Sequence, residues 1–178
     1  MSILRTNQIQ DTGTNVAANI SGGVVTFNNR IIQPNKITFK ATKTDGNQTI
    51  SSSTETQITF NVADINVGSC FSTATNRFTP TVNGNYYLYG MMQLTGSFGD
   101  NSTVYVAIRK NGSGIALSEM KVWESGSYSL TEQVNTIINA NGSSDYFDLT
   151  VFTSSGSAPP VRTGSSFTQF GGHLIWVN

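Results

Sequence analysis

His173 is the chain's one histidine and Cys70 its one cysteine, so thiol, imidazole or metal chemistry would have to be built around those two and ten carboxylates. A Ser-His-Asp triad would draw on His173, but no G-x-S-x-G elbow accompanies it. Its neighbours Gly171, Gly172 and Leu174 are packing residues, and His173 is read as structural. One His and one Cys do not make a zinc site. Asp145 and Asp148 suggest the paired carboxylates of a glycoside hydrolase. Residues three apart on a strand point to opposite faces, however, so the pair cannot converge without a bulge. Asp100, in GSFGDNST, offers one carboxylate where calcium wants six or more oxygens, and no calcium site is predicted. No Gly-rich loop ends in the Lys-Ser or Lys-Thr of a phosphate cradle. The expectation is no enzyme, no cofactor and no metal. Cys70, in VGSCF, reads as a small buried hydrophobe, and alone it cannot form an internal disulfide.

Binding chemistry has one candidate of its own. Trp123 sits in KVWESGSYS, read as a polar loop, where an indole can stack on a sugar ring. The commoner role of such a residue is to pack under its loop or across a subunit interface, and that reading is preferred. Trp123 is nevertheless the one candidate for glycan contact.

The elements that must position these residues are short and alternating. KITFKATK puts Ile37, Phe39 and Ala41 on one face, and QITFNV does the same with Ile58, Phe60 and Val62. GNYYLYGMMQL, VYVAIRK, LTEQVNTII, DYFDLTVF and FTQFGGHLIWV follow, with Val104, Val106, Ile108, Phe147, Leu149 and Val151 facing inward. DGN, NGN, FGDN, NGSG, ESGS, NGSS and SSGSAPP between them are turn chemistry. No segment carries a 3.6-residue apolar stripe. Many short strands with frequent turns predict an all-β protein, a sandwich or barrel of two sheets packed across a shared interior. Several strands also carry large groups on their second face: Tyr87, Tyr89, Tyr105, Tyr146, Phe152, and Trp176 or Phe170. A monomer would not normally expose so many, so Tyr87, Tyr89, Tyr105, Tyr146, Phe152 and Trp176 are candidates for a subunit interface.

The first 33 residues differ from the rest. They are polar, with scattered apolar residues and the turns DTGTN and SGG. They read as an extended arm that orders against something else, with SGGVVTFNN as a strand. Its candidate anchors are Ile3, Leu4, Ile9, Val24, Val25 and Phe27, which leaves residues 34–178 as one knob domain.

Composition narrows the function. Charged residues make up 11% of the 178, with ten basic and ten acidic side chains and a net charge of zero. An ordinary globular protein carries about 25%, so here hydroxyls and amides must supply solubility. No basic stripe for nucleic acid is present, nor a polybasic face for anionic lipid. No apolar run is long enough to span a membrane. A neutral, charge-poor surface favours association, which suits a symmetric assembly. The opening MSILRTNQIQ lacks the apolar core of a signal peptide, and the expectation is synthesis in a cytoplasm.

The knob resembles the globular head of the complement first component and its jelly-roll relatives, a superfamily that includes tumour necrosis factor. The resemblance rests on Asn66-Val67-Gly68 with Phe71, on Thr75-Asn76-Arg77-Phe78-Thr79-Pro80 with Asn76 in place of the usual glycine, and on Gly84, Tyr86 and Leu88. Lys110-Asn111-Gly112 and the closing Phe167, Phe170, Gly172 and Leu174 complete it, over roughly residues 37–178. It departs at NANGSSDYFD, where relatives carry Leu-x-x-Gly-Asp. The resemblance implies a jelly roll of about ten antiparallel strands assembling as a homotrimer. The opening Leu4–Asp11 and the strand Gly23–Phe27 are similar to leaders of structural proteins in tailed phages, notably of cyanobacteria. Together these imply a non-enzymatic virion protein: a trimeric knob attached by its arm to the major capsid or a tail protein, as a capsid decoration or cement protein. The alternative is a tail-fibre or tail-associated receptor-binding module, holding host-surface glycan in DGNQT, GSFGDNS or KVWESGS.

Overall fold

Apolar residues at every second position give strands whose inward side chains meet across a shared interior. A computed structural model describes residues 36–177, together with the backbone of three short strands among the first 35. The chain divides into two units, Met1–Pro34 and Asn35–Asn178. In the first, β1 (Gln8–Gln10), β2 (Val16–Ser21) and β3 (Val24–Phe27) pair antiparallel in the order β1-β2-β3. The strand expected in VVTF is β3. Of the candidate arm anchors, Ile3 and Leu4 lie outside the described residues, Ile9 falls on β1, and Val24, Val25 and Phe27 fall on β3.

The second unit holds β4 (Thr38–Thr42), β5 (Thr56–Gln57), β6 (Val62–Val67), β7 (Phe71–Ser72), β8 (Arg77–Phe78) and β9 (Gly84–Phe98). Then come β10 (Ser102–Lys110), β11 (Ser113–Val122), β12 (Gly126–Ala140), β13 (Phe147–Thr153) and β14 (Gln169–Val177). One sheet has the order β12-β9-β14-β4-β6; the other runs β11-β10-β13-β8-β7, with β5 also on β13. These are the two antiparallel sheets of a jelly roll. QITFNV, expected as one strand, is divided between them. Ile58 N–H still donates to Leu149 O in the six-stranded sheet at 2.9 Å, whereas Val62 pairs with Thr42 in the five-stranded one. Ile58 and Phe60 are buried on the way across, so alternation survives although the strand does not.

Phenylalanines fill the interior. Phe39 stacks on Phe78 with centroids 4.4 Å apart and on Phe71 at 5.2 Å, and meets Phe170 edge-on at 5.0 Å. Phe170, one of the two alternatives offered for a second-face aromatic, therefore belongs to the core. Asn76 takes φ 55°, the left-handed region that its place in the glycine position requires, and its Oδ1 accepts the Phe60 amide at 2.7 Å. Asn111 and Gly112, at φ 53° and 83°, make the tight turn between β10 and β11.

Strand directions give the second unit two poles. β4 runs from Thr38, beside His173, to Thr42, beside Gln169. β9 runs from Gly84, beside Val177, to Phe98, beside Gly126. The chain thus enters near Thr38 and leaves near Val177 at one pole. The loop after Thr42, the turn after Phe98 and the Trp123–Ser125 turn between β11 and β12 occupy the other.

Candidate functional site

The residues singled out for catalysis are engaged elsewhere. Asp148, buried on β13, takes Arg109 Nε at 2.8 Å and Arg109 Nη2 at 3.0 Å from its cross-strand partner, with Gln57 Nε2 at 3.3 Å. Asp145 lies before the strand. It accepts Lys110 Nζ at 2.9 Å, Asn111 Nδ2 at 2.8 Å and the Asn141 amide at 2.9 Å. Burial raises the Asp145 pKa, but these donors outweigh it and hold the carboxyl below the usual range. The two carboxylates do not converge. Asp100 accepts the Ser125 amide, so its charge fixes the β11–β12 turn. Cys70 is buried, and burial pushes its thiol up to about 11. Among the described residues no three His, Cys, Asp or Glu side chains gather as a metal site would require.

His173 belongs to an aromatic face. Residues directly opposite across an antiparallel ladder share a face, and pairing across the five-stranded sheet gives the row Ile137, Tyr87, His173, Thr38, Val67. His173 lies 5.6 Å from the Tyr87 ring, and Tyr87 lies 6.2 Å from Tyr89. Gly171 faces Tyr89, and a Cβ there would come within 2.4 Å of the phenol, so glycine is what lets the ring lie flat across β14. Burial, then the neighbouring Tyr87, pushes the Tyr89 phenol up.

Trp176 reaches this face through a bulge. By parity it should point inward with Phe170 and Leu174. Ile175 is skipped in the pairing with β9, so Leu174 sits opposite Tyr86 while Trp176 sits opposite Asn85, in line with Tyr87. Trp176 is 52% exposed and Ile137 58%. Of the six interface candidates, then, Tyr87, Tyr89 and Trp176 share one surface. Of the other three, Tyr105 and Phe152 are on the opposite sheet and Tyr146 lies just before β13, outside the strand in which it was expected, each with a local partner. Tyr105 stacks on Phe152 at 4.7 Å, and Tyr146 lies 3.8 Å beneath the Arg77 guanidinium.

Trp123 does not pack beneath its loop, for the indole is 72% exposed. The loop is also shorter than KVWESGSYS suggests, since β11 continues to Val122 and β12 begins at Gly126. These two strands edge different sheets, and where they diverge they leave a cleft of about 320 Å³ lined by Met120, Lys121, Val122, Trp123, Glu124, Tyr128 and Leu130. Lys121 Nζ stands 5.2 Å from the indole centroid. Tyr128 Oη donates to Glu124 O at 3.4 Å, and its ring lies 6.2 Å from Phe98. Lys121, Glu124 and Tyr128 were not marked by the sequence. Their one signal there is nearness to Trp123, and it is the meeting of two edge strands that assembles them.

Two antiparallel sheets, the Asn76 hairpin and the core of Phe39, Phe78, Tyr86 and Phe170 define the fold: a jelly roll, as the resemblance to complement-type heads implied. Among solved structures the chain is similar to the globular domain of zebrafish complement 1qA protein, at 19% identity and a TM-score of 0.59, covering 80% of this chain and 99% of that one. At that identity the likeness is one of fold. No protein-family model matches the chain, and no curated protein does.

Proposed function

We propose that this chain is a non-enzymatic structural protein of a tailed-phage virion, a homotrimeric jelly-roll knob held by its N-terminal arm and acting as a capsid decoration or cement protein. The observation that carries the reading is one face on a charge-poor domain where exposed His173, Trp176 and Ile137 lie with the half-buried Tyr87 and Tyr89. A threefold contact that repeats one such face against a different surface of the next copy closes into a ring and leaves no apolar patch in water. The arm supplies attachment. Its edge strands offer backbone donors and acceptors to a capsid or tail protein, and three arms on one trimer bind far more tightly than one. The virion assignment is drawn from the likeness of Leu4–Asp11 and Gly23–Phe27 to the leaders of tailed-phage structural proteins.

The test is the copy number of this chain in purified virions, measured by quantitative mass spectrometry against the major capsid protein. Hundreds of copies are expected. A few tens or fewer would replace decoration by the tail-associated, receptor-binding reading, which the exposed indole of Trp123 favours.

A further inference from the structure

From the cleft between β11 and β12 we infer a saccharide-binding site, with Trp123 as its stacking plate and an uncharged sugar chain as its ligand. This deepens the receptor-binding reading and rests on the pole opposite the chain entry being displayed. A sugar ring has an apolar C–H face and a rim of hydroxyls, and it needs a flat aromatic surface beside a few donors and acceptors. The cleft offers both. The Trp123 ring stands open to solvent, and Met120, Val122 and Leu130 form an apolar floor. Lys121, Glu124 and the Tyr128 hydroxyl stand at the rim. A volume of about 320 Å³ is at the small end of ligand pockets, which run to about 1,000 Å³, and suits a ring or two rather than a large cofactor.

Charge selects among ligands. Lys121 and Glu124 cancel within the lining, and Asp100, outside it, keeps its negative charge while accepting the Ser125 amide. No surplus positive charge is left for a phosphate or sulfate, and the lining itself carries no net charge to draw a basic peptide. The turn and one wall are set before binding. Asp100 fixes the turn, and Tyr128 lies between Phe98 and the Glu124 carbonyl, so the ordering left for a ligand to impose is that of the Trp123 indole.

The experiment titrates the purified full-length protein with neutral hexasaccharides of glucose, galactose, mannose or N-acetylglucosamine, following the two indole N–H resonances by NMR. At least one sugar is expected to shift the Trp123 signal and leave that of Trp176 in place. Trp123→Ala should weaken that binding by at least about tenfold, as truncation of a stacked anchor does, with Trp123→Phe partly restoring it and the melting temperature unchanged. A panel in which no sugar shifts Trp123 overturns the site, as does binding that survives Trp123→Ala. So does loss of oligomer in Trp123→Ala by sedimentation, which would give the indole to a neighbouring copy. Because the assay uses isolated protein, failure here leaves the virion reading standing, and a contrary copy number leaves this site standing.

Discussion

At the scale of single residues, the few groups that could do chemistry are held out of it, and two measurements follow. Cys70 is buried, with its thiol pushed up to about 11. At pH 8 only about a thousandth of it is thiolate, so a disulfide-exchange reagent should label it no faster than the domain unfolds. Rapid labelling of folded protein would contradict the burial. Asp145 is held below the ordinary carboxyl range by Lys110, Asn111 and the Asn141 amide against the cost of burial. Its folded pKa lies below its unfolded one. The stability it contributes is therefore fully present above the unfolded value of about 4 and is lost as pH falls from there through the folded value. Urea unfolding between pH 2.5 and pH 7 should show that fall, and Asp145→Asn should flatten it; equal slopes would remove Asp145 from the account.

Elements show how much the sequence made legible. Alternation alone placed Phe39, Val104, Val106, Ile108, Phe147, Leu149 and Val151 inside, because a half-buried strand writes its inner face at every second residue. It could not reveal that QITFNV changes sheets, since Ile58 and Phe60 are apolar whichever sheet they serve. It did not mark β1 and β2 either: β1 is Gln8-Ile9-Gln10, too short to show a period, and the alternation of β2 rests on Val16 and Ile20 with only the small Ala18 between them. The second face was offered for Trp176 or Phe170 without a choice between them, and what separates the two is the bulge. One skipped residue reverses the parity of everything after it, and Ile175 looks like any other strand residue. Deleting Ile175 in a Trp123→Phe background should remove the bulge and leave Trp176 directly after Leu174, still opposite Asn85 on the outer face, with its fluorescence unchanged. A shift to the blue would mean that Trp176 had turned inward and that β14 had changed its pairing with β9. The cleft at Trp123 was half legible: the indole announced itself, but the strands that wall it come from different sheets, and no local spacing encodes that meeting.

For the whole molecule the question is what covers the aromatic face. If Tyr87, Tyr89 and Trp176 sit in a threefold contact, the purified protein should sediment as a trimer even at low concentration, and Tyr87→Lys with Trp176→Lys should yield a folded monomer. A wild-type monomer would end the trimer and leave those rings to another partner. Chain entry at one pole and Trp123 at the other gives the knob a direction, and that has a mechanical side. β4, the first strand after entry, is hydrogen-bonded on both edges, to β14 and to β6. A pull on Asn35 against a hold at the Trp123 pole runs along β4 and loads its bonds in shear, all at once, instead of peeling them singly. Under such a pull the knob resists unfolding through the ladder bonds of β4 acting together, over the five residues Thr38–Thr42.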